Sequence, residues 1–222
     1  MTKRLLDLFC CAGGAGMGYH RAGFEVVGVD NRPQPRYPFE FHQADALEFC
    51  RQHGHEFDAI HASPPCQKYS RVSGRSIKAR GMHQYVDLIA PCRTALEEWG
   101  GVWVMENVEG APIRNGFMLC GSSFGLDVRR HRLFESSVLI LSPGCFHSRQ
   151  TPRFRTLDSR RKGRMACVVG VHGHLNYPGE KELREKAMGI GWMDTKELSQ
   201  AIPPAYTEFI GKQLIRALCR VE

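Results

Sequence analysis

Short continuous apolar runs dominate the hydrophobic pattern of the first half of the chain. Residues 3–9, 24–30, 57–62 and 101–108 are each rich in Leu, Val, Ile or Phe, and such runs are typical of strands buried on both faces of a parallel sheet. Segments that suit helices separate the runs and end near Ala22, Arg51 and Trp99. The alternation predicts an α/β fold in which helices cover a mostly parallel sheet.

The remaining segments are patterned less regularly. We interpret them in chain order as a proline-rich loop (31–41), a helix in which Pro91 could introduce a kink (85–99), a helix or turn (116–125), a strand with Arg130 and Arg132 on one face (128–134), an irregular basic stretch (143–164), a strand-like segment (166–171) and a helix (180–188). A C-terminal helix opens at Ala201-Ile-Pro-Pro204, and its buried face is expected to comprise Phe209, Ile210, Leu214 and Leu218.

Composition narrows the class of protein. The chain has 222 residues, enough for a sizeable core, and contains no apolar run long enough to span a bilayer. Its nine cysteines are scattered without a CxxC pair, which indicates reduced thiols in a cytosolic compartment. The formal net charge of +7 is compatible with a polyanionic partner. We therefore expect a soluble intracellular protein with no membrane partner.

The second half of the chain contains cysteines and histidines that could bind zinc. The candidate ligands are Cys145, His147, Cys167, His172 and His174. Their spacings match no standard zinc motif, and scattered Cys and His residues usually serve packing or lie on the surface. The sequence therefore predicts no metal site.

The first strand leads into a glycine-rich turn, Cys10-Cys-Ala-Gly-Gly-Ala-Gly16, followed by a helix and a second strand that ends at Asp30. Glycines allow the backbone to approach a ligand closely, and a terminal acid can hold a ribose diol. The turn lacks both the G-x-G-x-x-G spacing and a Walker lysine. This pattern favours S-adenosylmethionine over a dinucleotide or ATP.

Two reactive side chains stand at the ends of later strands. The strand over 57–62 stops at Pro64 and Pro65 and presents Cys66, although a cysteine in a proline turn can also be purely structural. The strand over 101–108 ends with Glu106, whose burial would raise its pKa towards the range of a proton donor; a capping acid is the alternative. A thiol and an acid beside a methyl donor suggest covalent activation of cytosine, with the base turned out of the stack.

Taken together, these residues resemble the DNA cytosine-5 methyltransferase family, and the resemblance runs through most of the chain. The resemblance rests on Asp7-Leu-Phe-Cys-Cys-Ala-Gly-Gly14, Pro64-Pro65-Cys66-Gln67, Glu106-Asn107-Val108, the pair Arg130 and Arg132, and Ala201-Ile202-Pro203. It implies a Rossmann-like class I S-adenosylmethionine-dependent methyltransferase fold with a small irregular basic target-recognition region. It also implies duplex DNA as the partner.

The resemblance assigns roles to individual residues. Cys66 is the expected nucleophile, Glu106 acts at cytosine N3, and Arg132 with Arg130 orients the base. The expected cofactor-binding residues are Asp7, Phe9, Cys10, Cys11, Ala12, Gly13, Gly14, Asp30, Asn31, Asp45, Ala46, Pro65, Ala201 and Ile202. The expected DNA-binding residues are Gln67, Lys68, Ser70, Arg71, Arg75, Asn107, Arg160, Arg161 and Lys162.

The chain also departs from the family pattern. Cys11 occupies a position that is usually glycine, Val128 replaces a glutamine, and Gln200-Ala201 stands where the family usually has Asn-Ser. We expect a catalytic and cofactor-binding core (1–135), a reduced target-recognition region (136–188) and a C-terminal segment that returns to the core (189–222). Compact enzymes of this kind resemble those of bacteriophages and mobile elements.

Several alternatives stay open at this stage. The same motifs occur in the branch of the family that methylates cytosine in RNA. Cys11 and Ala201 leave room for a catalytically idle module that binds DNA or S-adenosylmethionine, although such a module would need neither Cys66 nor Glu106. Transfer of a different group to C5 is also open. We expect a monomer in the cytoplasm of a bacterial or phage-infected cell, with a cognate restriction enzyme as an open possibility.

Overall fold

A seven-stranded sheet organises the described part of the chain. The computed structural model describes residues 2–69, 86–149, 154–155, 165–166, 168–171 and 178–219. The strands are β1 (Arg4–Leu8), β2 (Glu25–Asp30), β3 (Glu40–Gln43), β4 (Ala59–Ala62), β5 (Val102–Asn107), β6 (Phe117–Leu119) and β7 (Arg132–Ser136). They lie in the order β3-β2-β1-β4-β5-β7-β6, and β7 is antiparallel to both of its neighbours. Two short strands, β8 (Phe154–Arg155) and β9 (Met165–Ala166), pair separately.

Helices cover both faces of the sheet. They are α1 (Gly14–Ala22), α2 (Ala46–His53), α3 (Ile89–Trp99), α4 (Glu180–Met188), α5 (Thr195–Gln200) and α6 (Pro204–Leu218). The side chains of α2 and α3 pack with Leu6, Leu8 and Val27 on one face, whereas α1 and α6 pack with Leu5 and Val26 on the other. The doubly covered, mostly parallel sheet confirms the predicted fold class. None of the helices in the described ranges combines the length and apolar character needed to cross a membrane.

Several predicted element boundaries need correction. The loop predicted over 31–41 ends in an edge strand, β3, whose exposed and polar side chains provide little hydrophobic signal. The helix predicted from 85 begins at Ile89, so Pro91 lies in its first turn, where the missing N–H breaks no hydrogen bond and no kink is required. Residues 116–125 form β6 and a short 3-10 helix (Gly121–Phe124) rather than a single helix or turn.

The strand predicted over 128–134 begins only at Arg132. Arg130 precedes it because its backbone carbonyl accepts a hydrogen bond from the Tyr206 hydroxyl, at 2.6 Å, instead of joining the ladder. The strand-like segment predicted over 166–171 is shorter than expected, since residues 168–171 form no strand. By contrast, the helix over 180–188 is confirmed at both ends. Of the four residues predicted for the buried face of α6, Ile210 and Leu214 are fully buried, and Phe209 and Leu218 are partly buried.

The strand register brings four strand ends to one edge of the sheet. Leu8 pairs with both Val29 and Ala62, and Ala62 pairs with Met105. The residues that follow β1, β2, β4 and β5 therefore meet at the carboxyl edge, where open α/β sheets place their ligands. The glycine turn, Asp30, Cys66 and Glu106 are all at this edge.

Candidate active site

A rigid proline turn carries Cys66. After β4, the Ser63 N–H donates to the carbonyl of Leu8 at 3.2 Å, and the two prolines then direct the chain out of the sheet. The Asn107 side-chain amide donates to the Pro64 carbonyl at 3.0 Å, and its oxygen accepts from the N–H of Val108 at 2.9 Å. The turn is therefore fastened to the end of the neighbouring strand β5.

Asn107 is one of the residues that the sequence resemblance predicts to bind DNA. Its side chain is fully buried, and its amide nitrogen and oxygen each make a hydrogen bond inside the protein. These bonds fasten the Cys66 turn to β5, and the DNA contact of Asn107 stays a prediction.

Glu106 is a buried carboxylate beside a cation. It is 6% exposed, and Arg132 Nε lies 2.9 Å from its Oε1. Burial raises the pKa of Glu106, whereas the charges of Arg132 and Arg130 and a hydrogen bond from Ser63 offset part of that rise. The net direction is upward, so the carboxyl is protonated closer to neutral pH than an exposed glutamate would be.

Electrostatic interaction links the Cys66 thiol to the same group of side chains. Partial burial is the main cause that raises the pKa of Cys66, and the negative charge of Glu106 raises it further. Arg132 and Arg130 act in the opposite direction. The structure therefore brings all four predicted catalytic residues together.

Arg130 also ties the site to the C-terminal segment. Its guanidinium donates to the carbonyl of Ser199 at 2.6 Å and to that of Val171 at 3.3 Å. Burial is the main cause that lowers the pKa of Arg130, to about 9, and the like charge of Arg132 adds to it; at neutral pH the group still carries its charge. Its Nε is buried without a hydrogen-bond partner among the described residues.

The glycine-rich turn has unusual backbone geometry. Phe9 and Cys11 have φ angles of 58° and 47°, in the left-handed region that non-glycine residues rarely adopt, and Gly13 has a φ of 80°. The Cys11 N–H donates to Asp30 Oδ2 at 3.1 Å, and the Arg32 N–H donates to Asp30 Oδ1 at 3.0 Å. Asp30 thus fixes the end of β2 against the turn.

The last predicted motif packs directly on this turn. A Cβ added to Gly14 would lie 2.6 Å from the Ile202 carbonyl and 3.2 Å from the Ala201 Cβ. Close approach of the two backbones therefore requires glycine at position 14. Ala12 is buried nearby, and its carbonyl accepts a hydrogen bond from the Trp192 indole at 2.8 Å.

Asp7 lies under the turn rather than beside an open site. It is fully buried, accepts a hydrogen bond from the Tyr37 hydroxyl at 3.3 Å, and is also bonded by the backbone of Gly16. Burial raises the pKa of Asp7 to about 7. Its contribution to a cofactor site is therefore indirect, through the start of α1. Cys10 is likewise buried, and burial raises the pKa of its thiol well above the ordinary range.

Asp45 and its neighbours form the far side of the candidate cofactor site. Asp45 caps α2, and its Oδ1 accepts from the N–H groups of Leu47 and Glu48 at 3.0 and 2.9 Å. Ala46 is buried in the first turn of α2, while Asn31 is exposed just after β2. An exposed capping carboxylate retains acceptor capacity for a ligand.

The donor set at this edge fits S-adenosylmethionine. Asp30 retains lone pairs after its two backbone hydrogen bonds, and carboxylates such as Asp30 and Asp45 can accept from ribose hydroxyls and from an adenine amine. Carboxylates also tolerate a sulfonium and would repel a phosphate. The chemistry of these residues therefore favours a nucleoside ligand without phosphates.

Three of the residues predicted to contact DNA lie in the part of the chain that the structure describes, and they are Gln67, Lys68 and Asn107. Gln67 is exposed beside Cys66. Lys68 Nζ lies 3.1 Å from Asp87 Oδ2, a carboxylate that the Tyr69 hydroxyl also contacts. The residues outside the described ranges are Ser70, Arg71, Arg75, Arg160, Arg161 and Lys162.

Sequence reasoning missed a buried polar connection behind Glu106. His61 is fully buried on β4, pairs with the Tyr19 hydroxyl at 3.0 Å and with Ser63 Oγ at 2.8 Å, and burial lowers its pKa to about 3. Ser63 in turn bonds to Glu106. The sequence does carry a signal for this connection, because His61 is a polar residue inside an otherwise apolar strand.

Comparison with known proteins gives the chain a set of relatives. The family model described as C-5 cytosine-specific DNA methylase matches residues 3–113. Type II methyltransferase M.AquIA of Picosynechococcus sp. is 30% identical in an alignment of 129 residues, which covers 50% of this chain and 50% of that protein. Type II methyltransferase M.HgiGI of Herpetosiphon aurantiacus is 30% identical in an alignment of 121 residues, which covers 49% of this chain and 92% of that protein. The chain thus spans about half the length of the first relative.

Two solved methyltransferase structures share the fold over nearly the whole chain. A putative DNA modification methyltransferase encoded within an E. coli prophage aligns with a TM-score of 0.59 and 15% identity, over 99% of this chain and 100% of that one. The S. pombe Dnmt2 methyltransferase aligns with a TM-score of 0.62 and 12% identity, over 97% and 99%. At these identities the likeness shows the fold alone, which is the Rossmann-like methyltransferase fold.

Proposed function

Because the chain belongs to the C-5 cytosine-specific DNA methylase family, we propose that it transfers a methyl group from S-adenosylmethionine to C5 of a cytosine in DNA through a covalent adduct with Cys66. One observation carries the proposal. Cys66 stands on a turn fastened by Asn107, within electrostatic reach of the buried pair formed by Glu106 and Arg132, whose atoms are 2.9 Å apart. A structural cysteine would need neither the acid nor the cation.

The covalent step begins at the thiol. The Cys66 thiol gives its proton to solvent, and the thiolate attacks C6 of a cytosine that has been turned out of the duplex, since a base in the stack is not accessible to a side chain. As the S–C6 bond forms, the electron pair of the C5–C6 double bond moves between C4 and C5. The pair of the C4–N3 double bond moves to N3, which takes the proton of the Glu106 carboxyl, and C5 becomes the nucleophilic carbon of an enamine.

The raised pKa of Glu106 suits this role. A general acid works best when its pKa lies near the operating pH, and burial moves the Glu106 pKa in that direction. Arg132 keeps the carboxyl oriented, and together with Arg130 it favours the thiolate form of Cys66. When bound, S-adenosylmethionine supplies the electrophilic methyl group. The N3 proton then returns to the Glu106 carboxylate. The C5 proton is lost to solvent, its bonding pair forms the C5–C6 double bond, and the Cys66 thiolate departs, which restores the aromatic ring.

The proposed cofactor site lies at the glycine turn. Asp30 is placed to accept from the ribose and Asp45 from the adenine, while the backbone of residues 9–14, Pro65 and the Ala201–Ile202 segment enclose the ligand. Ala201 lacks the hydroxyl usual in the family, so the backbone of this segment is left to provide the contact.

Duplex DNA is the proposed partner. The chain has a formal net charge of +7, and both curated relatives are named type II methyltransferases, which supports action on DNA in a modification role. The Dnmt2 structure shares only the fold at 12% identity and does not decide between DNA and RNA. We propose DNA as the substrate and leave RNA as an arm of the test.

The test traps the adduct. The full chain is incubated with S-adenosylmethionine and mixed-sequence duplex DNA containing 5-fluorocytosine, then separated by denaturing electrophoresis. Fluorine at C5 cannot leave as a proton, so the enzyme should remain attached to the DNA. Cys66→Ser should abolish the shifted band, whereas Cys219→Ser, which alters an exposed cysteine just after the end of α6, should retain it. A band on fluorinated RNA alone, or a band that survives Cys66→Ser, contradicts the proposal.

A further inference from the structure

Four potential metal ligands converge outside the proposed active site. They are Cys120, His131, Cys145 and His147, and their ligand atoms all lie within 4.8 Å of one another. Cys120 follows β6 directly, His131 immediately precedes β7, and the other two lie on the segment after β7. Cys120 is buried and the other three are partly or fully exposed, so the cluster lies at the protein surface with its base in the core.

The distances within the cluster suit one shared ion. Cys120 Sγ lies 3.3 Å from His147 Nε2, His131 Nε2 lies 3.2 Å from His147 Nε2, and Cys145 Sγ lies 3.5 Å from His131 Nε2. Zinc sits about 2.3 Å from sulfur and about 2.0–2.1 Å from nitrogen, so the edges of a tetrahedral site measure roughly 3.3–3.8 Å. The two sulfur–nitrogen distances, 3.3 and 3.5 Å, lie within that range, and the nitrogen–nitrogen distance, 3.2 Å, lies just below it.

Hydrogen bonding alone explains the arrangement poorly. Each Nε2 faces the other imidazole and a thiol at once, and a neutral imidazole nitrogen is either one donor or one acceptor. The two rings lie nearly parallel, at 13°, with centroids 5.2 Å apart. Two nitrogens and two sulfurs gathered within 4.8 Å of one another are better explained as a ligand set than as a hydrogen-bond network.

An outer set of polar groups supports the four side chains. Glu109 Oε1 lies 3.3 Å from His131 Nδ1, the ring nitrogen opposite the cluster, as carboxylates do behind metal-bound histidines. Ser122 Oγ donates to Cys120 Sγ at 3.1 Å and accepts from the Phe146 N–H at 3.0 Å. The outer groups therefore orient one histidine and join Cys120 to the segment that carries Cys145.

We propose that Cys120, His131, Cys145 and His147 bind one Zn²⁺ ion. A Cys₂His₂ set favours zinc, and four protein ligands complete a tetrahedral shell, so the site is structural and holds no water for catalysis. Binding releases the two thiol protons. Spacing in the sequence does not reveal the set. The β6–β7 pairing makes Cys120 and His131 neighbours, and the hydrogen bond from Phe146 to Ser122 joins the segment of Cys145 and His147 to Cys120.

The position of the ion would link two functional regions. His131 stands between Arg130 and Arg132, while Cys145 and His147 lie in the first part of the basic stretch of residues 143–164. The zinc ion would therefore fasten the start of that stretch to the segment that carries the active-site arginines. This inference does not depend on the proposed methyl transfer.

Metal content of the intact protein tests the site. The full chain is produced in zinc-supplemented medium, dialysed against metal-free buffer and analysed by plasma mass spectrometry. We expect about one zinc per chain, falling below about a tenth in Cys145→Ser and His147→Ala. Matched controls at exposed positions, Cys219→Ser and His55→Ala, should keep the full content. Wild-type protein without zinc, or site variants that retain it, would overturn the proposal.

Cobalt substitution provides a measurement that needs no variant. Co²⁺ added to the metal-free full chain should give the intense visible bands of tetrahedral coordination together with sulfur-to-cobalt charge transfer, and zinc should displace it. Weak bands typical of six oxygen or nitrogen ligands would overturn the site even if every variant failed to fold.

Discussion

Cys11 stands where the family resemblance leads us to expect glycine, and its backbone conformation has a cost in free energy. Its φ of 47° lies in the left-handed region, where a Cβ crowds the following carbonyl at a cost of roughly 1–2 kcal/mol. Glycine is usual at this position because it avoids that cost. The Cys11 N–H still holds Asp30, so the turn keeps its geometry despite the substitution.

Cys11→Gly should therefore stabilise the protein. We expect a gain of up to about 1 kcal/mol in the free energy of unfolding, since the relief of strain exceeds the added entropy of an unfolded glycine. Urea denaturation measures it. Cys11→Ala keeps the Cβ and removes only the thiol, and a gain of equal size in that variant would assign the effect to the sulfur instead.

Burial and the charges of Arg132 and Arg130 are the larger influences on the pKa of Glu106, and Ser63 adds a smaller one. The Ser63 hydrogen bond lowers the Glu106 pKa, so Ser63→Ala should raise it further. If Glu106 acts as an acid, the rate falls as the pH rises past its pKa, and the variant should move that fall to higher pH. Single-turnover methylation across pH measures the shift.

Ser137→Ala is the matched control for this experiment. Its hydroxyl bonds to the backbone of Gly101 and Trp103 at the other end of β5, far from Glu106. The control should leave the pH profile unchanged. A profile for Ser63→Ala that overlays that of the parent would remove Glu106 protonation from the rate.

At the residue scale, the sequence identifies side chains better than their surroundings. Cys66, Glu106 and Arg132 were predicted from motif order, and the structure brings them together. The hydrogen bond from the Asn107 amide to the Pro64 carbonyl was not predicted, because no pattern in the sequence reveals it. Trp192 was missed because its partner, Ala12, lies 180 positions away in the chain.

At the scale of elements, one buried ion pair joins α3 to the sheet. Arg93 on α3 donates to both carboxylate oxygens of Glu135 on β7, at 2.6 and 2.7 Å, and also to the Pro112 carbonyl. The Arg114 N–H donates to the same carboxylate at 2.8 Å. The pair therefore holds a helix, a strand and the loop between β5 and β6 in one arrangement.

Glu135→Gln should destabilise the fold strongly. Removal of one partner leaves the Arg93 charge buried and uncompensated, which typically costs about 3–5 kcal/mol. Denaturant unfolding measures the loss. Arg36→Gln is the control, because Arg36 contacts Asp194 and Glu197 on the surface, where solvent screens the charges. Equal losses in both variants would contradict the buried-pair explanation.

Strands and helices with a strong periodic signal were predicted well. The buried strands β1, β2, β4 and β5 and the helix α4 match the sequence pattern because burial on both faces or a regular charged face leaves a clear record. The sequence pattern did not predict β3, because the side chains of this edge strand are mostly exposed and polar. It also did not predict the late start of β7, because the hydrogen bond from Tyr206 to the Arg130 carbonyl has no counterpart in the hydrophobic pattern.

At the scale of the whole molecule, positive charge is the property most relevant to a DNA partner. Arg160, Arg161 and Lys162 lie in the basic stretch outside the described residues, with a formal net charge of +7 for the chain. Each phosphate contact contributes about −0.9 to the slope of log affinity against log salt concentration. Replacement of all three with Gln should therefore make the slope less steep by up to about three.

Fluorescence anisotropy at several salt concentrations measures this slope. A matched triple variant replaces Lys181, Lys186 and Lys212, which lie on α4 and α6, and it should leave the slope near the parent value. A parent-like slope in the first variant would show that residues 160–162 do not contact phosphates.

The contact between the glycine turn and the Ala201–Ile202 segment has a consequence for synthesis. Ile202 closes against Gly14, and Thr207 Oγ1 donates to the Ala15 carbonyl at 2.8 Å across 192 positions. Chains emerge from the ribosome with the N-terminal part first, and contacts this distant in sequence form late. The site that the first motif begins is closed only by a segment that is synthesised much later, so we expect competence for the cofactor to arise abruptly once that segment has folded, rather than to grow with the chain.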